Sequence, residues 1–276
     1  MCNREEGGIN VRRSYCAFVD ILGFKNEIEK RTINPSSNIE NEKETERIYD
    51  FISLLNKDFV KRNTSDDSTY RVSQFSDSLV ISYSVSEKAS VFRILMSLLY
   101  LHLDAIYHGL LIRGAVTFGK LIHDDEHLFG PAMDEAYKME SEIANFPRII
   151  VNQKLIEIAE NNPNWSNSPE DEKRYIEGLL KKDFDGFLFL DYLRKGCDEI
   201  VASEDYFGLP DFINKISEII NSNESSKDLR IIQKYNWLKN KYNELLSFYK
   251  ETNFKKDPNY EELSDYFNSM SLYSLR

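Results

Sequence analysis

The run "ILMSLLYLHLDAIYHGLLIRGAV", Ile94 to Val116, limits most sharply what this chain can fold into. It is almost wholly apolar, yet His102, Asp104 and His108 interrupt it and Gly109 breaks it. A membrane span requires about 20 predominantly apolar residues, and such interruptions argue against one. The better reading is a long helix that stops at Gly109 and runs straight into a buried strand. Elements that apolar must be covered on most sides, so the rest of the chain has to build a sheet and further helices around them.

The remaining pattern supplies both. "SYCAFVDILGF" predicts a first buried strand over residues 15–21, ending at Gly23. Ile48, Phe51, Ile52, Leu55 and Phe59 then recur at helical spacing. "YRVSQFSDSLVISYS" reads as two strands joined by a tight turn at Ser76-Asp77-Ser78. Ser84 or Ser86 is the expected N-cap of the long helix. "LLIRGAVTFGKLIHDD" reads as a strand, a turn at Gly119 and a second strand. "GPAMDEAYKMESEIA" is a helix with Pro131 near its start. There follow a short strand in "PRIIVN", a short helix in "QKLIEIAE", a polar loop in "NNPNWSNSPEDEKR" and a last strand in "FDGFLFLDYL". From about Asp205 the chain is helical, charged and rich in tyrosine. This order predicts an α+β fold, an antiparallel sheet with helices packed on one face.

Charge and cysteine content narrow the function. The formal net charge of -11 repels phosphate backbones over long range, so no nucleic-acid partner is expected. The three cysteines, Cys2, Cys16 and Cys197, form no close pairs, which argues against a disulfide framework and a zinc knuckle. The opening "MCNREEGGIN" lacks an apolar signal core. A cytoplasmic protein with no membrane partner is the expectation. Cys16 alternates with core positions and reads as a small buried hydrophobe. His102 and His108 read as packing or surface residues. The aromatic set Tyr242, Phe248, Tyr249, Tyr260, Tyr266, Phe267 and Tyr273 reads as helix packing.

Two acids stand out. Asp20 lies near the end of an otherwise apolar strand, and Asp77 lies at the tip of the next hairpin. A buried carboxylate needs a cation, a donor or solvent. If the strand and hairpin are neighbours, the two carboxylates converge at one edge of the sheet. Each also has an ordinary reading, as a strand-end cap and as a turn residue. A carboxylate pair without thiol or imidazole suits a hard cation such as Mg²⁺ or Mn²⁺.

"FVDILGF", "QFSDSLVIS" and "LLIRGAVTFG…HLFGPAMDEAYKMES", in this order, resemble the class III nucleotidyl cyclases, and most of all the pyrimidine cyclases of the Pycsar anti-phage system. The resemblance covers residues 15 to 193. It implies a ferredoxin-like βαββαβ catalytic domain over 15–204, preceded by a tail (1–14) and followed by a helical C-terminal extension (205–276). It implies that Asp20 and Asp77, with the backbone carbonyl of Ile21, hold two divalent ions, Mn²⁺ or Mg²⁺. It implies that Leu22, Gly23 and Phe24 hold the triphosphate. The asparagine and arginine of purine cyclases correspond here to Asp134 and Lys138. The adenine-reading lysine and its acidic partner correspond to Ser73 and His127. These departures argue against a conventional purine cyclase. The implied reaction converts UTP, or CTP, to the 3′,5′-cyclic nucleotide and pyrophosphate, as a messenger in antiviral defence. The implied partners are a second copy of the chain, in a head-to-tail homodimer, and a separate effector activated by the cyclic nucleotide. The alternatives are a purine cyclase with an altered pocket, or a cyclase-like module that binds nucleotide or protein without turnover. Arg71 and Arg113 are further candidate cations, each with an ordinary reading as a strand-edge arginine in a surface ion pair.

Overall fold

The computed structural model describes residues 11–24, 38–55, 69–161, 163–164, 166–202, 208–251 and 261–275. Phe59, Cys2 and Tyr260 fall outside them. The fold is α+β, with eight strands in one mixed sheet and nine helices among the described residues. Strand β1 (Arg12–Ile21) is followed by α1 (Asn38–Leu54), the hairpin β2 (Arg71–Phe75) and β3 (Ser78–Ser84), helix α2 (Ser90–Tyr107) and strand β4 (Ile112–His123). Next come β5 (Leu128–Phe129), α3 (Pro131–Glu142), β6 (Ile149–Val151), α4 (Lys154–Glu160), α5 (Pro169–Leu179), β7 (Leu180–Lys182) and β8 (Leu188–Leu190). Four helices close the chain: α6 (Tyr192–Ala202), α7 (Gly208–Ser222), α8 (Leu229–Glu251) and α9 (Glu261–Ser269).

The strands lie in the order β2-β3-β1-β4-β6-β8-β7, with β5 paired to β4. The first four are antiparallel to their neighbours. The β4–β6 pair is parallel, so the sheet is mixed and the expected wholly antiparallel sheet is corrected. A parallel neighbour needs a crossover, and α3 provides it on the opposite face from α2. Helices therefore cover both faces rather than one.

Strand alternation sorts β1 between these faces. Tyr15, Ala17, Val19 and Ile21 point into the large core with Ile94, Leu95, Leu98 and Leu99 of α2. Cys16 and Phe18 point the other way, into a smaller cluster with Val80, Leu121, Ala132 and Ala136 under α3. Helix α2 is the one described helix long and apolar enough to cross a membrane, and 61% of it is buried inside the fold.

Several local expectations need correction. The "LLIRGAVTFGKLIH" segment is one continuous strand, because Gly119 serves as a close-packing position against Ala132 and makes no turn. Neither Ser84 nor Ser86 caps α2. Its N-cap is Ala89 in the left-handed region, while the two serine hydroxyls bond each other at 2.8 Å. The polar stretch after Glu160 contains the start of α5, capped by Ser168, whose side chain accepts from Asp171 N. "FDGFLFLDYL" contributes only three strand residues, since Tyr192 already begins α6.

Candidate functional site

The acid pair is built by strand register. Asp20 continues the Cys16–Phe18 row of β1 and pairs across to Ser78 of β3 and Arg113 of β4. The hairpin tip is fastened to the end of β1, where Ile21 N donates to the Asp77 carbonyl at 3.2 Å. Asp20 and Asp77 therefore arrive at the same edge with their carboxylates in hydrogen-bonding reach of each other. Burial first, then the Asp77 charge, pushes Asp20 up to about 6, with Arg113 opposing.

Asp20 does have partners. Ser78 Oγ donates to its Oδ1 at 3.5 Å, and Arg113 Nη2 lies 3.5 Å from Oδ2. Arg113 is only 24% exposed and also lies 2.7 Å from Glu140 Oε1, so its reading as a surface ion pair is corrected. That second contact is an ion pair without hydrogen-bond alignment, and Glu140 Oε1 is buried with no hydrogen-bond partner. Burial raises the Glu140 carboxyl above the ordinary range, Arg113 opposes, and Asp20 and Asp77 add to the rise. The centre thus holds three carboxylates around one guanidinium and is short of positive charge.

The turn after β1 has a partly committed backbone. Gly23 takes φ +81°, which glycine adopts without penalty. The Leu22 N–H already donates to the Leu111 carbonyl at 2.8 Å, which removes it as a ligand donor. Phe24 follows directly at the start of the next turn of chain. Among the described residues no group of three or more His, Cys, Asp or Glu side chains has metal-binding geometry. The oxygens that could hold a hard cation here are the Asp20 and Asp77 carboxylates, and the Ile21 carbonyl that the sequence reading adds to them is a ligand of the same hard kind.

The other carried-over positions divide. Asp134 and Lys138 stand on the exposed side of α3, opposite the Ala132, Ala136 and Glu140 stripe. His127 is exposed and bonded within its own loop to Asp124. It does not meet Ser73. The ring beside Ser73 is His123, whose Nε2 lies 2.9 Å from Ser73 Oγ and whose Nδ1 lies 2.8 Å from Ser82 Oγ. Burial, reinforced by the Arg71 charge, lowers His123 to about 4, so it is neutral at pH 7 with one ring nitrogen donating and one accepting. His123 and Ser82 line a polar cavity of about 200 Å³ with Arg12, Thr69, Arg71 and Asp124. His102 is buried and stacked on Tyr192 at 3.9 Å, and His108 closes the end of α2 through Asp104 O, so both are packing residues. Cys16 is fully buried.

Two residues of this site have sequence signals that are easy to pass over. Glu140 continues the Ala132–Ala136 stripe at helical spacing, an acid on a buried face. His123 shares strand parity with Leu121, a signal lost when the strand is broken at Gly119.

No protein-family model matches the chain, and no curated protein matches it in sequence.

Proposed function

We propose that this chain is a metal-dependent pyrimidine nucleotide cyclase, a phosphorus–oxygen lyase of the class III kind, with UTP preferred over CTP. The observation that carries the reading is the convergence of Asp20 and Asp77 at one sheet edge, one at a strand end and one at a hairpin tip. The β2-β3-β1-β4 order, with α1 and α2 as its connections, supports a ferredoxin-like βαββαβ catalytic core.

Asp20, Asp77 and the Ile21 carbonyl would hold Mn²⁺ or Mg²⁺. A divalent ion there supplies the charge that makes ionising the ribose 3′-hydroxyl, and departure of pyrophosphate, less costly. The protein's own part is positioning and electrostatics, as in phosphoryl transfer generally. The glycine turn at Leu22–Phe24 lets phosphate approach the backbone closely. Arg113 offers a planar cation beside the acids. The neutral His123 spends both ring nitrogens on Ser73 and Ser82, so it is the remaining donor and acceptor capacity of the two serine hydroxyls that would read the edge of a pyrimidine.

Asp134 and Lys138, exposed on α3, would act on a site completed by a second copy, in a head-to-tail homodimer. Turnover by a monomer at high dilution would contradict that arrangement. The cyclic product would then activate a separate effector in anti-phage defence, a role that rests on the resemblance alone. One observation favours a second reading, a nucleotide-binding module without turnover: Arg113 already offsets the Asp20 charge.

The test is incubation with each of ATP, GTP, CTP and UTP plus Mn²⁺, with products identified by mass. A cyclic pyrimidine product abolished by Asp20→Ala or Asp77→Ala supports the proposal. Saturable binding without product from any triphosphate points to the second reading.

A further inference from the structure

Glu140 belongs to the acid centre but not to its candidate metal-binding oxygens. It continues the Ala132–Ala136 stripe of α3 and is 3% exposed. Among the described residues it completes no metal-binding group with Asp20 and Asp77. Its contact with the centre runs through Arg113, whose Nη2 lies 2.7 Å from Glu140 Oε1. Arg113 stands directly across from Asp20 in the β1–β4 register, so the two side chains share one face of the sheet. The end of α3 holds the guanidinium a second time, since the Ala144 carbonyl accepts from Arg113 Nη1 at 3.5 Å.

The guanidinium is shared unequally. The same Nη2 lies 3.5 Å from Asp20 Oδ2, beyond the roughly 2.7–3.2 Å of a formed N–H···O bond. Its approach to Glu140 is closer but not aligned as a hydrogen bond, and Glu140 Oε1 is buried with no hydrogen-bond partner. One nitrogen stretched between two carboxylates satisfies neither. A buried acceptor left in that state is costly, and turning the guanidinium fully onto Glu140 would remove the cost. Arg113 is kept from turning as long as Asp20 has no other counter-charge.

We propose that Glu140 is a positioning residue that draws Arg113 off Asp20 when a divalent cation binds the acids, so that Arg113 balances Asp20 without blocking its oxygens. This rests on the divalent-cation reading of Asp20 and Asp77 given above. With Asp20, Asp77 and Glu140 ionised against Arg113, two negative charges are left over, which one divalent ion offsets. Without Glu140 the guanidinium would close on Asp20 as a formed charge-assisted bond, and an incoming cation would first have to break it.

Titration of the full chain with Mn²⁺, the free ion read by electron paramagnetic resonance, tests this without turnover. Glu140→Gln should weaken Mn²⁺ binding about tenfold or more, the scale of one charge-assisted bond that the ion must displace. Glu140→Asp keeps the charge on a side chain one methylene shorter. It should also weaken binding several-fold, whereas a role through charge alone predicts wild-type affinity. Glu142→Gln removes an exposed acid from the same helix and should change nothing. In an Arg113→Met background Glu140→Gln should cost almost nothing further, because it acts through the guanidinium. If Arg113→Met does not fold, Glu140→Asp decides. In the triphosphate assay Glu140→Gln should raise the Mn²⁺ concentration for half-maximal product in the same ratio. Wild-type Mn²⁺ affinity in folded Glu140→Gln or Glu140→Asp overturns the inference. So does an undiminished loss in the Arg113→Met background, or a wild-type chain that takes up no Mn²⁺. A chain with the expected affinities that makes no cyclic nucleotide upholds the inference and overturns the cyclase reading. A chain that makes cyclic nucleotide while Glu140→Gln keeps wild-type affinity does the reverse.

Discussion

Asp20 shows how an ionisable residue is carried at a cost to the fold. Its carboxylate is partly buried beside Asp77, so its surroundings disfavour the charge despite Arg113. Asp20→Asn keeps the shape and removes the like-charge contact. Its Tm should be no lower than wild type, while under the proposed function cyclic product should fall by roughly 10²–10³-fold or more, the scale for losing one electrostatic group at a reacting centre. Scanning calorimetry and product mass analysis read the two halves. A large fall in Tm would assign Asp20 a structural role instead. His102 gives a second residue-scale expectation. Burial lowers it to about 3, and its Nε2 has no hydrogen-bond partner. The unfolded chain takes up this proton near the ordinary value of about 6.5, whereas the folded chain resists until about 3. The stability is therefore whole above about pH 6.5 and is lost as pH falls toward 3. His123 adds a loss of the same sign down to about 4. His102→Phe, which keeps the aromatic stack on Tyr192, should flatten the fall of Tm with acid, and an unchanged slope would refute this.

Hairpins and caps made much of the element level legible. The β2–β3 turn, the Pro131 start of α3 and the buried face of α2 all follow from local spacing and turn chemistry. The errors share one cause. Gly119 is a turn signal taken alone, but a continuous strand keeps it because Ala132 packs where a side chain would stand. The clamp that seats α8 was equally invisible: Trp237 Nε1 donates to Asp183 Oδ2 at 2.6 Å, Lys241 Nζ lies 3.0 Å from Asp183 Oδ1 and the buried Arg148 pairs with Asp183, and these residues come from three separate segments of the chain. It should be costly to break. Asp183→Ala leaves the buried Arg148 guanidinium short of a partner, along with Lys241 and the Trp237 N–H, and should cost about 3–5 kcal/mol in denaturant unfolding. A loss under about 1 kcal/mol would mean that Asp185 alone satisfies Arg148.

At the scale of the whole molecule the C-terminal helices are integral. Leu209, Phe212, Ile213 and Ile216 of α7, Leu238, Tyr242 and Leu246 of α8 and Phe267 of α9 belong to the same core as Ile94 and Leu98 of α2. Each such aliphatic or aromatic side chain contributes about 1.5–3 kcal/mol when fully buried. Ending the chain at residue 204 would expose all their contacts at once. The truncated protein should be insoluble or lack a cooperative thermal transition, as circular dichroism and calorimetry would read. A soluble, cooperatively folding fragment 1–204 would restore the view of these helices as an appendage.

The amino-acid order alone was enough for the alternation that sends Ala17 and Val19 one way and Phe18 and Asp20 the other, and for the hairpin that puts Asp77 at its tip. Both are short-range consequences of a two-residue strand period and a tight turn. Tertiary packing decided the rest. It paired β1 with β3 so that Asp77 meets Asp20, placed Glu140 and Arg113 around the acids, put His123 rather than His127 against Ser73, and ran β6 parallel to β4. These contacts join distant segments, and no local period encodes them. They exist because a mixed sheet covered on both faces leaves its strand ends as the place where separate helices can bring charge together.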